Sequence, residues 1–396
     1  MIHRILNMDS LNGGGSAFLF GPRGVGKTYL CRDYIRQSPH VHKVELLNYE
    51  VYSRYLRQPE LFRKEIENKL VEEKPLLVLI DEVQKLPSLL DEVHYLIETY
   101  KNKVNFILTG SSARKLKRGG ANLLAGRAWS LKLHPLTHRE VTLDLEKALV
   151  YGTLPAIYLD DKFPARTLKA YVETYLKEEI FQEALVRRVE GFSRFIEMAG
   201  QMNSEPINFS KIARECGVSN HTVQEYYSIL VDTLLVFRLD AWHHSVRKQI
   251  AQAPKFYFFD CGVLNAIRRD LNVELNVQSY RYGKLFETFM VQELIRLNDY
   301  LETDYQFYYW RTNTGLEVDV VLSRGANEPL IAIEIKSHHS PAENDLSALR
   351  SFKSENENAK LICFSNSPQA YSLGDIMVYP WQEGINAVLG SSPARV

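Results

Sequence analysis

The chain has 396 residues, 45% of them hydrophobic and 24% charged, which is ordinary for a globular protein of two or three domains. Its 48 Lys and Arg residues balance its 48 Asp and Glu residues, so the net charge points to neither a nucleic acid nor a membrane partner. No apolar run approaches the roughly 18 residues of a membrane span, and the N-terminus lacks the apolar block of a signal peptide. The 4 cysteines show no C-x-x-C spacing, so we expect a reduced, cytoplasmic location without structural zinc or membrane association.

The most informative motif lies near the N-terminus. An apolar run, residues 17–20, leads as a buried strand into the loop GPRGVGKT, and a helix follows. This is the G-x-x-x-x-G-K-[ST] pattern, in which backbone N–H groups at a helix N-terminus bind the β-phosphate of a nucleotide. Lys27 would contact the β- and γ-phosphates, and the Thr28 hydroxyl would ligate Mg²⁺. We predict that ATP contacts one continuous run, which consists of Gly21, Pro22, Arg23, Gly24, Val25, Gly26, Lys27, Thr28 and Tyr29.

Two further strands complete the predicted nucleotide site. Asp81 stands at the end of an apolar strand, where open α/β sheets bind their ligands, and would hold the magnesium through water. Glu82 would orient and polarise the attacking water, so the two acids together favour hydrolysis over binding alone. The strand 104–110 leads to Ser111, which would sense the γ-phosphate, although a solvated strand end remains the alternative.

A basic segment follows this third strand. Arg127, with Arg114 as the second choice, would supply a cation to the γ-phosphate, a role worth ~10³-fold or more in rate. The arginine would act in cis or from a neighbouring subunit, so the sequence leaves a homo-oligomer open. A solvated charged loop is the alternative interpretation.

These segments together resemble the bacterial and archaeal AAA-type ATPases that carry a C-terminal domain of unknown function. The ATPase part of the resemblance rests on residues 21–28, 80–84, 107–112, 125–127 and 134–140. Residues 253–264 and 315–322 are similar to signatures of that C-terminal domain. The resemblance implies an ATPase fused to a winged-helix and nuclease-like module.

Strands alternating with amphipathic helices predict the α/β class, with a P-loop doubly wound parallel sheet. We place a P-loop AAA-type ATPase domain at residues 1–140 and a helical lid or linker at 141–204. A winged helix follows at 205–270. A restriction-endonuclease-like α/β domain occupies 271–396.

The predicted winged helix rests on a helix–turn–helix pattern. Ala213 allows two helices to cross closely, Gly217 suits the tight turn, and Ser219 caps the second helix. If that helix enters a major groove, its reading residues are Asn220, His221 and Gln224, with Arg214, Arg247 and Lys248 on phosphates. A module that binds only protein is the alternative.

The C-terminal domain carries a possible nuclease site. Because strand side chains alternate between faces, two paired strands would bring Asp319 together with Glu334 and Lys336. This is the D…E-x-K arrangement of restriction-endonuclease-like (PD-(D/E)xK) nucleases, in which carboxylates hold a divalent metal and the lysine positions the nucleophile. Glu287, on the preceding helix, would be a further acidic ligand.

The sequence therefore supports two hypotheses. In the first, an ATP- and Mg²⁺-dependent enzyme acts on DNA and cuts it or controls its cutting, in a defence or mobile-element setting. In the second, the nucleotide cycle switches a module whose inactive nuclease-like domain only binds DNA or a protein partner.

Overall fold

The computed structural model describes the chain except residues 1, 9–10, 12–14, 37, 71–74, 113, 115, 117–123, 125, 161, 177–188, 246, 248, 250–251, 326 and 391–396. The described residues form two compact units. The first unit contains the chain as far as Pro135 together with Ser228–Leu235, and the second contains the other described residues.

The first unit is built on one parallel sheet with the strand order β2-β3-β4-β1-β5. Its strands are β1 (Ser16–Phe20), β2 (Val41–Glu45), β3 (Leu76–Asp81), β4 (Val104–Gly110) and β5 (Ala128–Lys132). The helices between them are α1 (Lys27–Ile35), α2 (Tyr49–Arg57), α3 (Glu60–Lys69) and α4 (Leu89–Thr99). Every residue of β1 and β3 is buried, as expected for strands covered on both faces. The predicted α/β class is confirmed.

Local sequence explains the surface helices of this unit. The Asn48 side chain accepts the N–H groups of Glu50 and Val51 and so caps α2. The apolar stripe of α3 buries Phe62 and Ile66 against the sheet. These helices cover the sheet and leave the carboxyl ends of the strands to form the site.

The second unit begins with helices. They are α5 (Leu145–Tyr151), α6 (Pro155–Asp160), α7 (Pro164–Ala170), a π-helical turn (Tyr171–Leu176), α8 (Val189–Gln201) and α9 (Phe209–Cys216). The next helix, α10 (Asn220–Asp232), ends beyond this unit. Gly217 has φ 67° between α9 and α10, and Ser219 Oγ accepts the N–H of Thr222, so the expected turn and cap are present. α7 begins at Pro164, and residues 177–188 lie outside the described residues.

An eight-stranded mixed sheet forms the rest of the second unit, with the order β12-β13-β11-β10-β9-β8-β6-β7. Its strands are β6 (Val236–Ala241), β7 (Lys255–Phe258), β8 (Gln306–Arg311), β9 (Glu317–Ser323), β10 (Ile331–Ile335), β11 (Lys360–Ser365), β12 (Tyr371–Leu373) and β13 (Ile376–Pro380). The helices are α11 (Cys261–Arg268), α12 (Tyr280–Leu301), α13 (Ser347–Glu355) and α14 (Trp381–Leu389).

Strands β6 and β7, which precede residue 270 in the chain, belong to this large sheet. β6 pairs with β7 in antiparallel fashion and with β8 in parallel fashion, through Asp240 and Ala241. No sheet boundary therefore falls at residue 270, where we expected a new domain to begin. The reason is a long-range strand pairing, which the local sequence does not encode.

Two findings bear on the expectations from composition. The four cysteines are buried and none forms a disulfide. Among the helices within the described ranges, none combines the length and the apolar character that a membrane crossing requires.

Candidate active sites

The loop after β1 has the geometry of a phosphate cradle. Gly26 has φ 96° and directly precedes α1, so the loop turns into the helix N-terminus through a conformation that favours glycine. A Cβ at Gly21 would lie 2.3 Å from the Leu133 carbonyl oxygen, so only glycine fits there. The N-terminus of α1 thus follows the loop directly, as anion binding requires.

Lys27 lies against this loop. Its side chain is buried, and Nζ donates to the carbonyl oxygens of Gly21 at 2.7 Å and Pro22 at 3.2 Å. The ammonium is therefore already within the loop that the sequence assigns to the phosphates. A bound phosphate would exchange these carbonyl partners for a stronger, charge-assisted one.

Thr28 and Asp81 meet, as a shared magnesium site requires. Thr28 Oγ1 donates to Asp81 Oδ2 at 3.3 Å, and Thr109 Oγ1 donates to Asp81 Oδ1. A hydroxyl and a carboxylate are the hard oxygen donors that Mg²⁺ prefers when phosphates complete its coordination. These residues fit the ion. Thr109 was missed from the sequence, and its place at the end of β4, next to β3, is the signal that could have found it.

Glu82 is held in an unusual conformation beside the metal site. Its φ is 60°, a left-handed value that is uncommon for a residue other than glycine and often marks functional positions. Its N–H donates to Thr109 Oγ1 at 3.0 Å, and Gln84 Nε2 donates to Glu82 Oε2. The same amide nitrogen lies 3.4 Å from Ser111 Oγ. Gln84, which the sequence analysis missed, therefore links the predicted water-orienting acid to the predicted phosphate sensor.

A buried arginine supports the loop from behind. Arg4 Nη1 donates to the Val25 carbonyl at 2.8 Å, and Nη2 donates to the His134 carbonyl at 2.6 Å. Arg4 thus ties the phosphate loop to the segment that leaves β5. No sequence pattern predicts a contact between residues this far apart in the chain.

The predicted arginine fingers have different positions. Ser16 pairs with Ala128, so Arg127 lies at the amino end of the strands, whereas the phosphate loop follows their carboxyl end. Five strand residues span roughly 16 Å. Arg127 forms an ion pair with Glu98 at that edge, a position that favours the second alternative, in which the arginine acts from a neighbouring subunit. Arg114 follows β4 at the carboxyl edge and donates to Asp232.

The second unit brings Asp319, Glu334 and Lys336 together. β9 and β10 are antiparallel neighbours in which Val320 pairs with Ile333, so Asp319 and Glu334 stand side by side. Asp319 Oδ2 accepts the N–H of Ile335 at 2.8 Å, and Lys336 Nζ donates to Glu334 Oε1 at 2.7 Å. The alternation of side chains along two strands is enough to produce this arrangement.

Both carboxyl groups have a raised pKa and so hold a proton more tightly than an ordinary carboxyl group does. Burial, and then the nearby charge of Glu287, raises the pKa of Asp319 to about 7. Burial and Asp319 raise the pKa of Glu334 well above its usual value. Glu334 Oε2 is buried and has no hydrogen-bond partner among the described residues. A cation bound to this pair would replace the proton and occupy the free oxygen.

Glu287 lies near that pair but is hydrogen-bonded to other partners. Tyr257 Oη donates to Glu287 Oε1 at 2.8 Å, and Lys284 Nζ donates to Oε2 at 3.2 Å. Within the described part of the chain, no three His, Cys, Asp or Glu side chains are grouped so as to hold a metal. The expected three-carboxylate set is therefore not present as such. Asp319 and Glu334 still fit Mg²⁺ or Mn²⁺, because one or two carboxylates plus substrate phosphates are a usual ligand set.

The residues proposed to read DNA are exposed on α10. His221 Nδ1 lies 3.8 Å from Glu225 Oε2, so an acid stands beside one reading residue. Asn220, Gln224, Arg214 and Arg247 are also exposed, while Lys248 lies outside the described residues. DNA contact by this helix stays a prediction.

Family comparisons agree with the geometry of the first unit. Residues 15–142 match the family model described as an AAA domain. Residues 142–275 match a domain of unknown function (DUF8612), and residues 282–383 match another (DUF4143). The protein therefore carries an AAA-type P-loop ATPase domain followed by two domains of unknown function. This confirms the AAA-type part of the resemblance, while the winged helix and the nuclease-like domain stay predictions.

Uncharacterized proteins from distant organisms are similar to this chain. One from Mycobacterium tuberculosis is 25% identical over 366 residues, which covers 91% of this chain and 78% of the relative. One from Haemophilus influenzae is 23% identical over 301 residues, covering 70% of this chain and 73% of the relative. One from Methanocaldococcus jannaschii is 23% identical over 293 residues, covering 66% and 63%. The first match includes the ATPase domain and the later domains together.

Proposed function

We propose that the protein hydrolyses ATP in the first unit and that its second unit is a metal-dependent phosphodiesterase acting on DNA. The proposal of ATP hydrolysis is supported by one observation. Beside the loop of Lys27, one edge of the sheet brings together Thr28, Asp81, Glu82 and Ser111. Those elements are what phosphoryl transfer to water requires: a phosphate cradle, a metal-binding pair and an acid that positions the water.

In this proposal Thr28 and Asp81 would hold Mg²⁺, which would neutralise charge that develops on the phosphates. Lys27 leaves its loop carbonyls to bind the β- and γ-phosphates. Glu82 orients the attacking water, and Ser111 donates to a γ-phosphate oxygen. Because Gln84 Nε2 lies near Ser111 and donates to Glu82, a phosphate that engages Ser111 would be sensed at the catalytic acid.

Two variants test the ATPase. Lys27→Ala removes the phosphate contact, so we expect loss of ATP binding and of hydrolysis. Glu82→Gln leaves the cradle intact, so we expect ATP to bind while hydrolysis falls by roughly 10²-fold or more. Lys43→Ala, at an exposed lysine of β2, is the matched control. Glu82→Gln with wild-type turnover would exclude Glu82 as the water-orienting residue.

The phosphodiesterase proposal is supported by the pair Asp319 and Glu334 and by the adjacent Lys336. A divalent cation on the pair would activate water and stabilise charge on the phosphorus centre. Lys336 positions the nucleophile. Water then adds to phosphorus, one P–O ester bond breaks, and the leaving oxygen takes up a proton.

A second candidate function is a nucleotide-dependent platform that binds DNA or protein without cutting. The observation that favours it is the direct pairing of lysines with the acids, Lys336 with Glu334 and Lys284 with Glu287. Such pairs neutralise the acids in the absence of a metal.

Cleavage assays decide between these candidates. The proposed enzyme nicks plasmid or single-stranded DNA with Mg²⁺ or Mn²⁺ and ATP, and Asp319→Ala and Lys336→Ala each abolish that cleavage. Lys353→Ala, in an ion pair with Asp375 elsewhere in the unit, is the control. If the wild type leaves every DNA intact under these conditions, the platform is the better description.

A further inference from the structure

The C-terminal carboxylates surround a lysine that the D…E-x-K pattern does not include. Lys255 lies on β7, its side chain is 0% exposed, and Nζ donates to Glu317 Oε1. Nζ also lies 5.0 Å from the centre of the Tyr309 ring. Burying an ammonium group costs free energy unless acids and a ring face compensate its charge. Glu317 and the Tyr309 ring supply that compensation for Lys255.

Strand β7 contributes to the acidic site through one of its faces. Lys255 and Tyr257 lie on the same face because alternate strand residues do so, and Tyr257 Oη binds Glu287. Although burial opposes it, the acids Glu287, Glu317 and Asp319 raise the pKa of Lys255. The lysine is therefore charged. It lies close enough to Asp319 to oppose part of the rise in the pKa of that carboxyl group, which burial and Glu287 cause.

The charges of the site are nearly balanced without any ion. Five carboxylates face four cations, and the groups are Glu205, Glu287, Glu317, Asp319 and Glu334 against Lys255, Lys284, Arg311 and Lys336. These groups carry one net negative charge once a bound cation has displaced the protons of Asp319 and Glu334 and all of them are ionised. A single divalent cation would leave one positive charge, which matches one phosphodiester, whereas two divalent cations would leave three.

We propose that Lys255 is a built-in cation of this site, supplying the charge that a second divalent ion supplies in two-metal sites and so limiting the site to one ion. It is a positioning residue that acts through Glu317 and Asp319. This inference rests on the proposed metal-dependent function, and it extends that function to the number of ions.

Mn²⁺ titration of the full-length protein, followed by calorimetry, tests the proposal without any activity assay. Lys255→Met removes a positive charge near the ion, so the Kd for Mn²⁺ is expected to fall at least about tenfold. Lys255→Arg keeps the charge and should keep the wild-type Kd within about threefold. Lys147→Met is the matched control, since Lys147 Nζ lies 4.9 Å from a tyrosine ring centre but donates to a backbone carbonyl.

A second pair of variants tests the proposal without relying on the folding of Lys255→Met alone. Glu317→Gln leaves Lys255 unbalanced, so the Kd for Mn²⁺ should rise about tenfold. Combining it with Lys255→Met should return the Kd to within about threefold of the wild type. If Glu317 were itself a ligand, the double variant would stay weak, and the proposal would be overturned.

Other outcomes also overturn it. The proposal is overturned if the wild type and Lys255→Met have equal Kd values for Mn²⁺, or if neither binds Mn²⁺. It is also overturned if Asp319→Asn binds Mn²⁺ as the wild type does. The DNA assay is independent of these results. If the wild type cuts no DNA but the Kd values follow the predicted order, the phosphodiesterase fails and the role of Lys255 stands. If the wild type cuts DNA in an Asp319-dependent way but the Kd values for Mn²⁺ do not follow the predicted order, only the proposed role of Lys255 fails.

Discussion

The carboxylates of the two candidate sites have different kinds of hydrogen-bond partner. At the nucleotide site, Asp81 accepts hydrogen bonds from two threonine hydroxyls, and Glu82 accepts one from the Gln84 amide. In the second unit, Glu334 is paired with the ammonium of Lys336. Neutral donors leave the carboxylate charge available for a metal, whereas lysines cancel it. A metal at the second site must therefore compete with cations that belong to the protein.

The sites also differ in how they are assembled. The nucleotide site uses the carboxyl ends of adjacent parallel strands, so short motifs specify most of it. The second site combines β9 and β10 with Glu287 of α12 and Lys255 of β7. Its composition depends on which distant strands pair. We therefore expect substitutions at the first site to change mainly the binding and hydrolysis of ATP. Substitutions at the second site should change mainly the balance of charge among its acids and lysines.

The largest effect is expected from Gly21→Ala. The new Cβ would lie 2.3 Å from the Leu133 carbonyl oxygen, so the phosphate loop has to move. ATP affinity should fall by about 10²-fold or more, because the loop N–H groups lose their alignment. In the other unit, Gly283→Ala places a Cβ 3.7 Å from Ser337 Oγ, an ordinary contact, and should stabilise α12 by roughly 0.5–1 kcal/mol.

Equilibrium ATP binding and thermal unfolding measure this pair of variants. A Gly21→Ala protein that binds ATP normally would show that the loop does not depend on its close approach to Leu133. Loss of stability in Gly283→Ala would show that helix α12 is packed more tightly than its contacts indicate.

The next largest effect is expected from Arg4→Met. Both Nη atoms of Arg4 bind backbone carbonyls, one of them that of Val25 in the loop, so Arg4 should act by supporting the loop: the KM for ATP should rise about tenfold, while kcat changes less than about threefold. Arg4→Lys, which keeps one charged donor, should recover part of the KM. Steady-state ATPase kinetics decide, and a large fall in kcat alone would contradict a supporting role.

Sequence predicted the parts of each site that depend on local order. The run 21–28, Asp81 and the alternation that places Asp319 beside Glu334 all follow from short patterns, and so does the α/β class. Arg4 and Lys255 were missed, because their contacts join strands and loops far apart in the chain. The same limit explains why the sequence did not show that β6 and β7 share a sheet with the strands after residue 270.

A smaller effect is expected on stability as a function of pH. The folded-state pKa of Asp319 is about 7, above its ordinary value of 3.8. Between these values the native state keeps a proton that the unfolded chain has released, so the contribution of Asp319 to stability falls as pH rises from about 4 to about 7 and is then constant. Asp319→Asn should remove this contribution.

Denaturant unfolding of the wild type and Asp319→Asn across that range measures the difference. We expect Asp319→Asn to become more stable relative to the wild type as pH rises, with no further change above about pH 8. Asp345→Asn, at an exposed acid of the same unit, is the control. A difference that does not vary with pH would mean that Asp319 holds no extra proton in the folded protein.

The smallest effect on stability is expected from Arg127→Ala. The same variant tests whether Arg127 acts on the nucleotide of a neighbouring subunit. The ion pair with Glu98 is exposed, so its loss should change the stability very little, and Glu98→Ala should have the same small effect. Because Arg127 lies at the amino edge of its own sheet, it can reach a nucleotide only in a neighbouring subunit. If it does so, Arg127→Ala lowers the ATPase rate by roughly 10²-fold or more at concentrations where the wild type is associated, while Glu98→Ala does not. Equal ATPase rates in the two variants at every protein concentration would leave Arg127 as a surface ion pair, and Arg114 would then be the remaining candidate of the pair proposed from the sequence.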